Sequence, residues 1–354
     1  MPSSLVAEIE ESLREIAALD ASHGAHLGAL GTMLLRTESV ASSKIEQIEA
    51  GVSDYARAIH GMRSNPSATS MVAATVALEE LIDSVAGGGH LTVAVILRAH
   101  EALMRDDQGE ASCAGRFRDM QNWIGGSDHS PRNALYVPPP PDTVIDYMQD
   151  LVAFTNRDDL SAMVQAAIAH AQFESIHPLT DGNGRIGRAL VNTILRRRGV
   201  TSAVVVPLAS ALVARREEYF AMLTHYRAGD PKPIIAGFAR ASTLAARESR
   251  VTAARMAELP QAWRDTVGRV RSDSATARLL EALPAAPVLS AEEAALRVGG
   301  ATSAVYRAVE QLAEAGILRP LTDRKRNQVW GVGDMLDELV DLSVRIDAAA
   351  RSDT

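Results

Sequence analysis

A histidine, a carboxylate, three glycines and two arginines lie within the twelve residues HPLTDGNGRIGR, at positions 177–188. His177 can accept a proton near neutral pH, so it is a candidate general base. Asp181 would repel a bare phosphate, but it would bind a Mg²⁺ ion held between the carboxylate and phosphate oxygens. These residue types at this spacing predict phosphate chemistry assisted by a cation.

The glycines and arginines of the stretch suit it to bind an anion. Gly182 and Gly184 let the backbone take positive φ and approach a phosphate, because no Cβ stands in the way. Arg185 and Arg188 are three residues apart, so on a helix they would project toward the same charge. The pattern predicts a cradle for phosphate.

The segments on either side of this stretch are predicted to be helices. Apolar residues at 164, 167, 168 and 171 follow helical spacing, and a helical pattern resumes at about 186. Residues 182–187 match the dinucleotide-binding spelling G-x-G-x-x-G, but that motif needs a strand before its first glycine. The geometry is therefore helix, tight loop, helix, in which loop N–H groups and the positive end of the second helix meet at one place.

Composition limits the class of protein. The chain has 354 residues, 47% of them hydrophobic, and a formal charge of -8, so binding to polyanions would have to be local. The single cysteine, Cys113, excludes a disulfide framework and fits a reducing compartment. Neither a signal peptide nor an apolar run of roughly 20 residues is found, which predicts a cytoplasmic protein without a membrane segment.

Helical propensity dominates the chain, because alanine, leucine, arginine and glutamate abound and strand-like runs are scarce. We therefore predict a mainly α-helical fold. The predicted divisions are an N-terminal helical region at 1–90, a helical core at 91–247, a charged connector at 248–273, a compact module at 274–340 and a tail at 341–354.

The C-terminal module has the pattern of a winged helix-turn-helix. Three predicted helices, Ala275–Leu283, Ser290–Val298 and Thr302–Ala315, precede a hairpin formed by ILRPL and QVWGV. The third helix could enter a DNA major groove, and a basic turn at 324–326 could meet phosphate. Its candidate contact residues are Ser303, Tyr306, Arg307 and Gln311.

The charge of this module leaves its partner open. Residues 275–335 hold seven Lys or Arg and seven Asp or Glu, whereas strong non-specific DNA binding requires a basic excess. DNA binding, recognition of a protein and formation of a homodimer all remain possible partner modes.

The stretch at 177–188 resembles the Fic signature, HPFxxGNGRxxR, with Leu179 where the signature has phenylalanine. The upstream segments HAQFESI (170–176), GRFRDMQNWIGG (115–126) and LYVPPPP also resemble segments that precede the motif in Fic proteins. The resemblance extends over roughly residues 30–245. It implies a Fic helical core with a short β-hairpin flap, beside the winged-helix module.

Fic proteins typically transfer AMP from ATP to a hydroxyl of a target protein. The resemblance implies that His177 is the general base for an incoming Ser, Thr or Tyr hydroxyl and that Asp181 binds Mg²⁺. It further implies an ATP-binding and phosphate-binding set in which residues 182–184 form the anion hole and the two arginines hold the outer phosphates: Gly182, Asn183, Gly184, Arg185, Ile186, Gly187 and Arg188. Tyr219 lies where the family often has an aromatic residue near the nucleotide, although a position in the core is equally consistent with its sequence context.

Two further segments gain a role from the resemblance. The extended piece formed by Ala134, Leu135, Tyr136 and Val137 corresponds to the family's flap, an exposed edge that aligns a target segment by main-chain pairing. The stretch from Ser42 to Gln47 resembles the inhibitory motif [S/T]xxxE[G/N], which implies that Glu46 pairs with Arg188 and blocks productive ATP binding. Without that resemblance Glu46 would be an ordinary surface glutamate.

The sequence therefore predicts an autoinhibited protein adenylyltransferase that uses ATP and Mg²⁺. Removal of AMP from a target, or transfer of another phosphate-containing group, is the alternative on the same scaffold. A transcription regulator whose core only senses a nucleotide is the alternative from a different class.

Overall fold

The computed structural model describes residues 1–21, 27–126, 130–322 and 328–352. Within these ranges the chain is mainly helical, as the sequence predicts. The helices are α1 (Ser3–Ala21), α2 (Leu27–Ile45), α3 (Val52–Ile59), α4 (Pro66–Ser84), α5 (Val93–Met104), α6 (Val144–Thr155), α7 (Ala162–Ile176), α8 (Asn183–Arg197), α9 (Leu208–Ala214), α10 (Arg216–Arg227), α11 (Lys232–Val267), α12 (Ala275–Ala282), α13 (Ala291–Val298), α14 (Thr302–Glu314) and α15 (Gly333–Ser352).

Helices α7 and α8 form the centre of the core and pack along each other. Both are buried on nearly every side, and α7 presents fully buried alanines such as Ala166, Ala167 and Ala169. Small side chains let neighbouring helices approach closely, which explains how a chain with only 4% aromatic residues fills its interior. The loop between α7 and α8 is thereby held by two rigid elements.

Helix α2 brings the N-terminal region against the core, where it packs on α4, α8 and α9. The end of α1 is fixed to the loop before α9, because the Asp20 carboxylate accepts hydrogen bonds from the backbone N–H groups of Ser202, Ala203 and Val204. The last turn of α2 lies beside α8, where Ser42 contacts Arg188.

The connector predicted at 248–273 is wrong as a separate element, because α11 continues without a break to Val267. Its buried positions in this part include Ser249, Thr252, Met256 and Trp263, which follow helical spacing. Two of them are small polar residues, so the apolar pattern that normally identifies a helix is faint in the sequence.

The C-terminal module contains α12, α13 and α14 and a three-stranded antiparallel sheet, with β1 at Val288–Ser290, β2 at Leu318–Pro320 and β3 at Val329–Val332. The strand order is β1-β3-β2, so the predicted two-stranded hairpin is incomplete. Strand β1 escaped prediction because its three residues run directly into the capping box of α13, formed by Ser290 and Glu293. The basic turn predicted at 324–326 lies outside the described residues.

The tail predicted at 341–354 is also corrected, because residues up to Ser352 belong to α15. Leu342, Ile346 and Ala350 are buried, and α15 packs against α9 and α11. Among the described residues, no helix is both long and apolar enough to cross a bilayer.

Candidate active site

His177 ends α7 in the left-handed conformation, with φ 49° and ψ 60°. A residue with a Cβ pays roughly 1–2 kcal/mol for this conformation, so the surrounding structure must hold it. The His177 N–H donates to the carbonyl of Phe173 over 2.8 Å, and the His177 carbonyl accepts from Arg118 Nε over 2.8 Å. This bend ends α7 and places the backbone of His177 at the start of the loop that leads to α8.

Arg118 is a positioning residue that sequence analysis did not single out. It is 3% exposed and also donates to the carbonyls of Met120 and Pro139, over 3.2 and 2.5 Å. One guanidinium thus ties the base of the flap to the backbone of His177. Its only signal in the sequence is its place in the segment GRFRD, since its partners are backbone atoms that leave no pattern.

Burial lowers the pKa of His177 to about 4, and the nearby positive charges of Arg227 and Arg118 act in the same direction. The imidazole is therefore neutral at physiological pH. A neutral imidazole can accept a proton, as a general base must.

We expect the pH profile to report this shift. A group with a lowered pKa keeps its unprotonated form to lower pH, so the reaction should keep its rate down to about pH 5 and lose it near pH 4. The measurement is the initial rate of label transfer from ATP against pH, with the Glu46→Gly variant. An acidic limb centred near the ordinary value of 6.5 would contradict the buried environment.

The Asn183 side chain stabilises the loop between α7 and α8 by hydrogen bonds across it. Its Oδ1 accepts from the Leu179 N–H over 2.9 Å, and its Nδ2 donates to the Leu179 carbonyl over 2.8 Å. Leu179, the departure from the signature, is fully buried. Gly182 then caps α8 with φ 77°, a conformation that suits glycine. The backbone N–H groups at the start of α8 therefore form a preorganised anion site.

The Glu46 carboxylate lies directly against this loop. A Cβ added to Gly184 would clash with Glu46 Oε1, so the close approach requires glycine at that position. Burial alone would raise the pKa of Glu46, but the charge and hydrogen bond of Arg188 lower it below the ordinary value. The side chain is thus a carboxylate, and it rests where an anion would sit.

Arg188 is held by the end of α2 and the residue after it. Its side chain is 1% exposed, and it donates to Ser42 Oγ over 2.9 Å, to the Ser42 carbonyl over 2.9 Å and to Glu46 Oε1 over 2.7 Å. Charge-assisted contacts of this kind are among the stronger hydrogen bonds in proteins. The Nε and Nη2 groups of the guanidinium are therefore engaged by Ser42 and Glu46.

The end of α2 explains the position of Glu46. The Gln47 N–H bonds the Lys44 carbonyl and the Ile48 N–H bonds the Ser43 carbonyl, which is the Schellman arrangement. Gln47 occupies its left-handed position with φ 61°. Glycine or asparagine is favoured there, so the structure gives the physical reason for the [G/N] of the motif.

We expect the Gln47→Gly variant to be more stable by about 0.5–1 kcal/mol, because it removes the cost of a left-handed residue with a Cβ. The measurement is urea unfolding of both proteins. Gln108→Gly is the matched control, since Gln108 is exposed and does not have positive φ. A loss of stability for Gln47→Gly equal to that of the control would contradict the strain.

Arg185 and Asp181 lie together on the outer side of the loop. Arg185 Nη2 is 3.2 Å from Asp181 Oδ2, and Nη1 donates to Ser70 Oγ over 2.8 Å. The Asp181 side chain is 55% exposed whereas that of Arg185 is 4% exposed. The carboxylate is therefore accessible beside the anion site, while the guanidinium is turned toward α4.

This donor set fits a Mg²⁺ ion that is held mainly by nucleotide oxygens and water. One exposed carboxylate beside a phosphate cradle is the usual protein share in such a site. No group of three or more His, Cys, Asp or Glu side chains with metal-binding geometry occurs within the described ranges.

Three of the residues predicted to bind the nucleotide are buried in the core. Ile186 is 1% exposed in the core, and Gly187 faces α7, where an added Cβ would lie 2.6 Å from Glu174 Oε1. Tyr219 is 1% exposed, and its hydroxyl contacts His170 Nε2 at 2.9 Å and Arg188 Nη1 at 3.4 Å. Because of helical periodicity, residues 186 and 187 face the core. The Tyr219 hydroxyl contacts the Arg188 guanidinium from the core.

The segment predicted to be a short β-hairpin flap is an extended piece with a single bridge. Tyr136 forms an isolated antiparallel bridge with Ile124, and its hydroxyl donates to the Ser175 carbonyl over 3.0 Å. Leu135 is 85% exposed and Val137 50% exposed, whereas Ala134 lies on the turn before them. In the described part of the chain, the N–H and C=O of Val137 have no hydrogen-bond partner. Val137 therefore presents a free edge beside the end of α7.

Helix, glycine turn and helix N-terminus, with a histidine at one end and two arginines at the other, define a phosphate-binding site on an all-helical core. Residues 90–195 match the family model described as Fic/DOC family. Over these residues the chain is similar to a Fic/DOC domain.

Comparisons with individual proteins agree with this domain. The protein adenylyltransferase fic-1 of Caenorhabditis briggsae is 34% identical over 125 residues, which cover 34% of this chain and 22% of the relative. A Fic family protein from Desulfovibrio desulfuricans has a TM-score of 0.60 at 22% identity and covers 94% of this chain and 96% of its own. Fic-1 from Caenorhabditis elegans has a TM-score of 0.54 at 24% identity, with 70% and 74% covered.

The comparisons with structures and with sequences support different conclusions. The two solved structures establish the fold. The chain spans only 22% of the length of the Caenorhabditis briggsae relative, and the matched part is the Fic domain. What that relative does is therefore a guide to a proposal for this chain.

Proposed function

We propose that this chain is a protein adenylyltransferase, which moves AMP from ATP to a Ser, Thr or Tyr hydroxyl of a target protein. The observation that carries the proposal is the position of His177 beside the glycine turn that opens α8. A neutral base next to a preorganised anion site is what transfer of a phosphate-containing group to a hydroxyl requires. The Fic/DOC domain and the names of its relatives support the same reaction class.

In the proposed reaction the target oxygen forms a bond to the α-phosphorus of ATP. The bond from that phosphorus to the oxygen bridging the β-phosphorus breaks, and pyrophosphate leaves. His177 takes the hydroxyl proton, and the N–H groups of residues 182–184 stabilise the charge on the phosphoryl oxygens. Arg185 and Arg188 would neutralise the outer phosphates once their present contacts open.

Asp181 would hold a Mg²⁺ ion beside the phosphates. When bound, such an ion neutralises charge on the triphosphate and orients its oxygens. The Asp181 side chain is 55% exposed, so the carboxylate is accessible for this contact, and its Oδ2 at present accepts a hydrogen bond from Arg185 over 3.2 Å.

Glu46 is proposed to keep the enzyme inactive. Its carboxylate rests on the anion site and, together with Ser42, uses up the donors of Arg188. ATP would then lack the contact that aligns its phosphates for in-line attack. The free edge at Val137 is proposed to pair with the main chain of the target.

The C-terminal module is proposed to be a winged helix whose partner is DNA, another protein or a second copy of this chain. Tyr306 is 52% exposed on α14, and Ser303 and Arg307 share that helix. Gln311 is less available, because its Oε1 accepts from Thr276 Oγ1 over 2.8 Å inside the module.

The test uses ATP labelled at either the α- or the γ-phosphate, with the Glu46→Gly variant and Mg²⁺. Adenylylation leaves the α-label on protein and releases the γ-label. Retention of both labels would indicate transfer of a larger group, and retention of the γ-label alone would indicate phosphorylation. Absence of protein label, with nucleotide binding preserved, would favour the nucleotide-sensing alternative and contradict the proposal.

A further inference from the structure

We propose that α3 couples the C-terminal module to the inhibitory glutamate, so that separating the module from α3 releases Glu46 and activates the enzyme. The proposal rests on the proposed adenylyltransferase function and on inhibition by Glu46. It adds an input to that regulation: the C-terminal module itself, more than 200 residues away in the sequence.

Helix α3 packs directly on the sheet of the module. Ala56 is 1% exposed and belongs to a small apolar cluster with module residues, against which Val52 and Met62 also pack. The module side of this cluster is formed by Val288, Leu321, Val329 and Leu336. The two parts of the chain therefore share one buried apolar contact.

Polar contacts extend the same interface. Arg57 Nη1 donates to the Leu321 carbonyl over 2.8 Å, and His60 Nδ1 lies 3.4 Å from Glu293 Oε2. Glu293 also completes the capping box of α13. These contacts connect α3 both to the sheet and to a helix of the module, so the module holds α3 in its present position and α3 is freed when the module separates from it.

Helix α3 is tied closely to Glu46 along the chain. The bond from the Ile48 N–H to the Ser43 carbonyl fixes residue 48 to the end of α2, so only residues 49–51 separate that point from Val52. The four residue steps from residue 48 to residue 52 span at most about 14 Å when fully extended. The connection is therefore short, and a displacement of α3 beyond this span would pull on the turn that carries Glu46.

That turn carries the backbone cost of a left-handed residue with a Cβ. Gln47 has a Cβ in the left-handed position of the Schellman arrangement, so the turn yields more readily than one with glycine. On its core side, α3 is held to α4 by a hydrogen bond between Tyr55 Oη and Thr75 Oγ1 at 2.9 Å. Helix α3 therefore contacts both α4 in the core and the sheet of the C-terminal module. Residues 49–51 connect it to the turn that carries Glu46.

The test introduces one carboxylate on each face of α3. Ala56→Glu puts it into the apolar cluster, whereas Ser53→Glu puts it on the exposed face and is the matched control. We expect Ala56→Glu to raise self-labelling with ATP by at least about 5-fold, the lower end of the usual coupling between two sites, without exceeding the rate of Glu46→Gly, and Ser53→Glu to leave it unchanged. Arg57→Ala, which keeps the cluster and loses the bond to Leu321, should give a smaller rise.

Coupling through Glu46 predicts that the variants are not additive. The double variant Ala56→Glu, Glu46→Gly should label no faster than Glu46→Gly alone. Wild-type labelling in both Ala56→Glu and Arg57→Ala, with their helical circular dichroism preserved, would overturn the coupling. Additive effects would place the interface outside the path to Glu46. If Glu46→Gly itself transferred no label, the proposed function would fail before the coupling came into question.

Discussion

Replacing His177 by alanine in the Glu46→Gly protein is expected to reduce label transfer from ATP by roughly 10²- to 10⁴-fold, the usual contribution of a general base. The neutral imidazole is the group proposed to take the hydroxyl proton, and its pKa of about 4 keeps it in the neutral form. Nucleotide binding should persist, because the loop N–H groups and both arginines are untouched. The measurement is the initial rate of labelling beside the dissociation constant for ATP.

The left-handed backbone at His177 calls for a second variant. Alanine is strained at φ 49°, whereas asparagine adopts this conformation readily. His177→Asn should therefore fold normally and remain inactive, since an amide cannot accept the proton. His225→Ala, at an exposed histidine on α10, is the control and should keep full activity. Activity in His177→Asn within threefold of the parent protein would exclude His177 as the base.

Replacing Glu46 by glycine is expected to raise labelling roughly 10- to 100-fold. The contact with Arg188 is a hydrogen bond between charged groups, which is worth about 1.5–3 kcal/mol, and each 1.4 kcal/mol changes a rate tenfold. The substitution also clears the carboxylate from the anion site beside Gly184. The measurement is the rate of labelling of wild type and variant at equal ATP.

A matched control separates loss of the carboxylate from a general loosening of the segment. Glu49→Gly makes the same change three residues further on, at an exposed glutamate, and should leave labelling at the wild-type level. Because Arg188 also bonds Ser42 twice, adding Ser42→Ala to Glu46→Gly should give a further, smaller rise. Equal labelling of wild type and Glu46→Gly would remove the inhibitory role.

Much of the helical architecture and the tight glycine turn between α7 and α8 could be predicted from the sequence, because both depend on local signals. Helix α7, the glycine turn and helix α8 follow from spacing and residue type over about 35 positions. The resemblance of residues 177–188 to the Fic signature is matched by the Fic/DOC domain at 90–195. The local pattern could not predict which of these residues are buried. Ile186, Gly187 and Tyr219 are buried in the core.

Contacts between distant segments could not be predicted from the sequence, and the reason is physical. Arg118 acts through backbone carbonyls, which carry no side-chain pattern. Arg57 meets Leu321 across 264 positions, and one carbonyl is the entire partner. The length of α11 was missed because Ser249 and Thr252 fill buried positions where apolar residues are expected. Such features depend on how helices pack, which no short window of sequence contains.

The most direct test is the intact mass of the Glu46→Gly protein after incubation with ATP and Mg²⁺, with the Glu46→Gly, His177→Asn protein treated in parallel. A neutral base beside a helix N-terminus that cradles ATP predicts an added mass of one AMP per modified hydroxyl in the first protein and an unchanged mass in the second. An unchanged mass in both, with ATP bound, would contradict adenylylation. The same adduct in both would contradict the role of the imidazole.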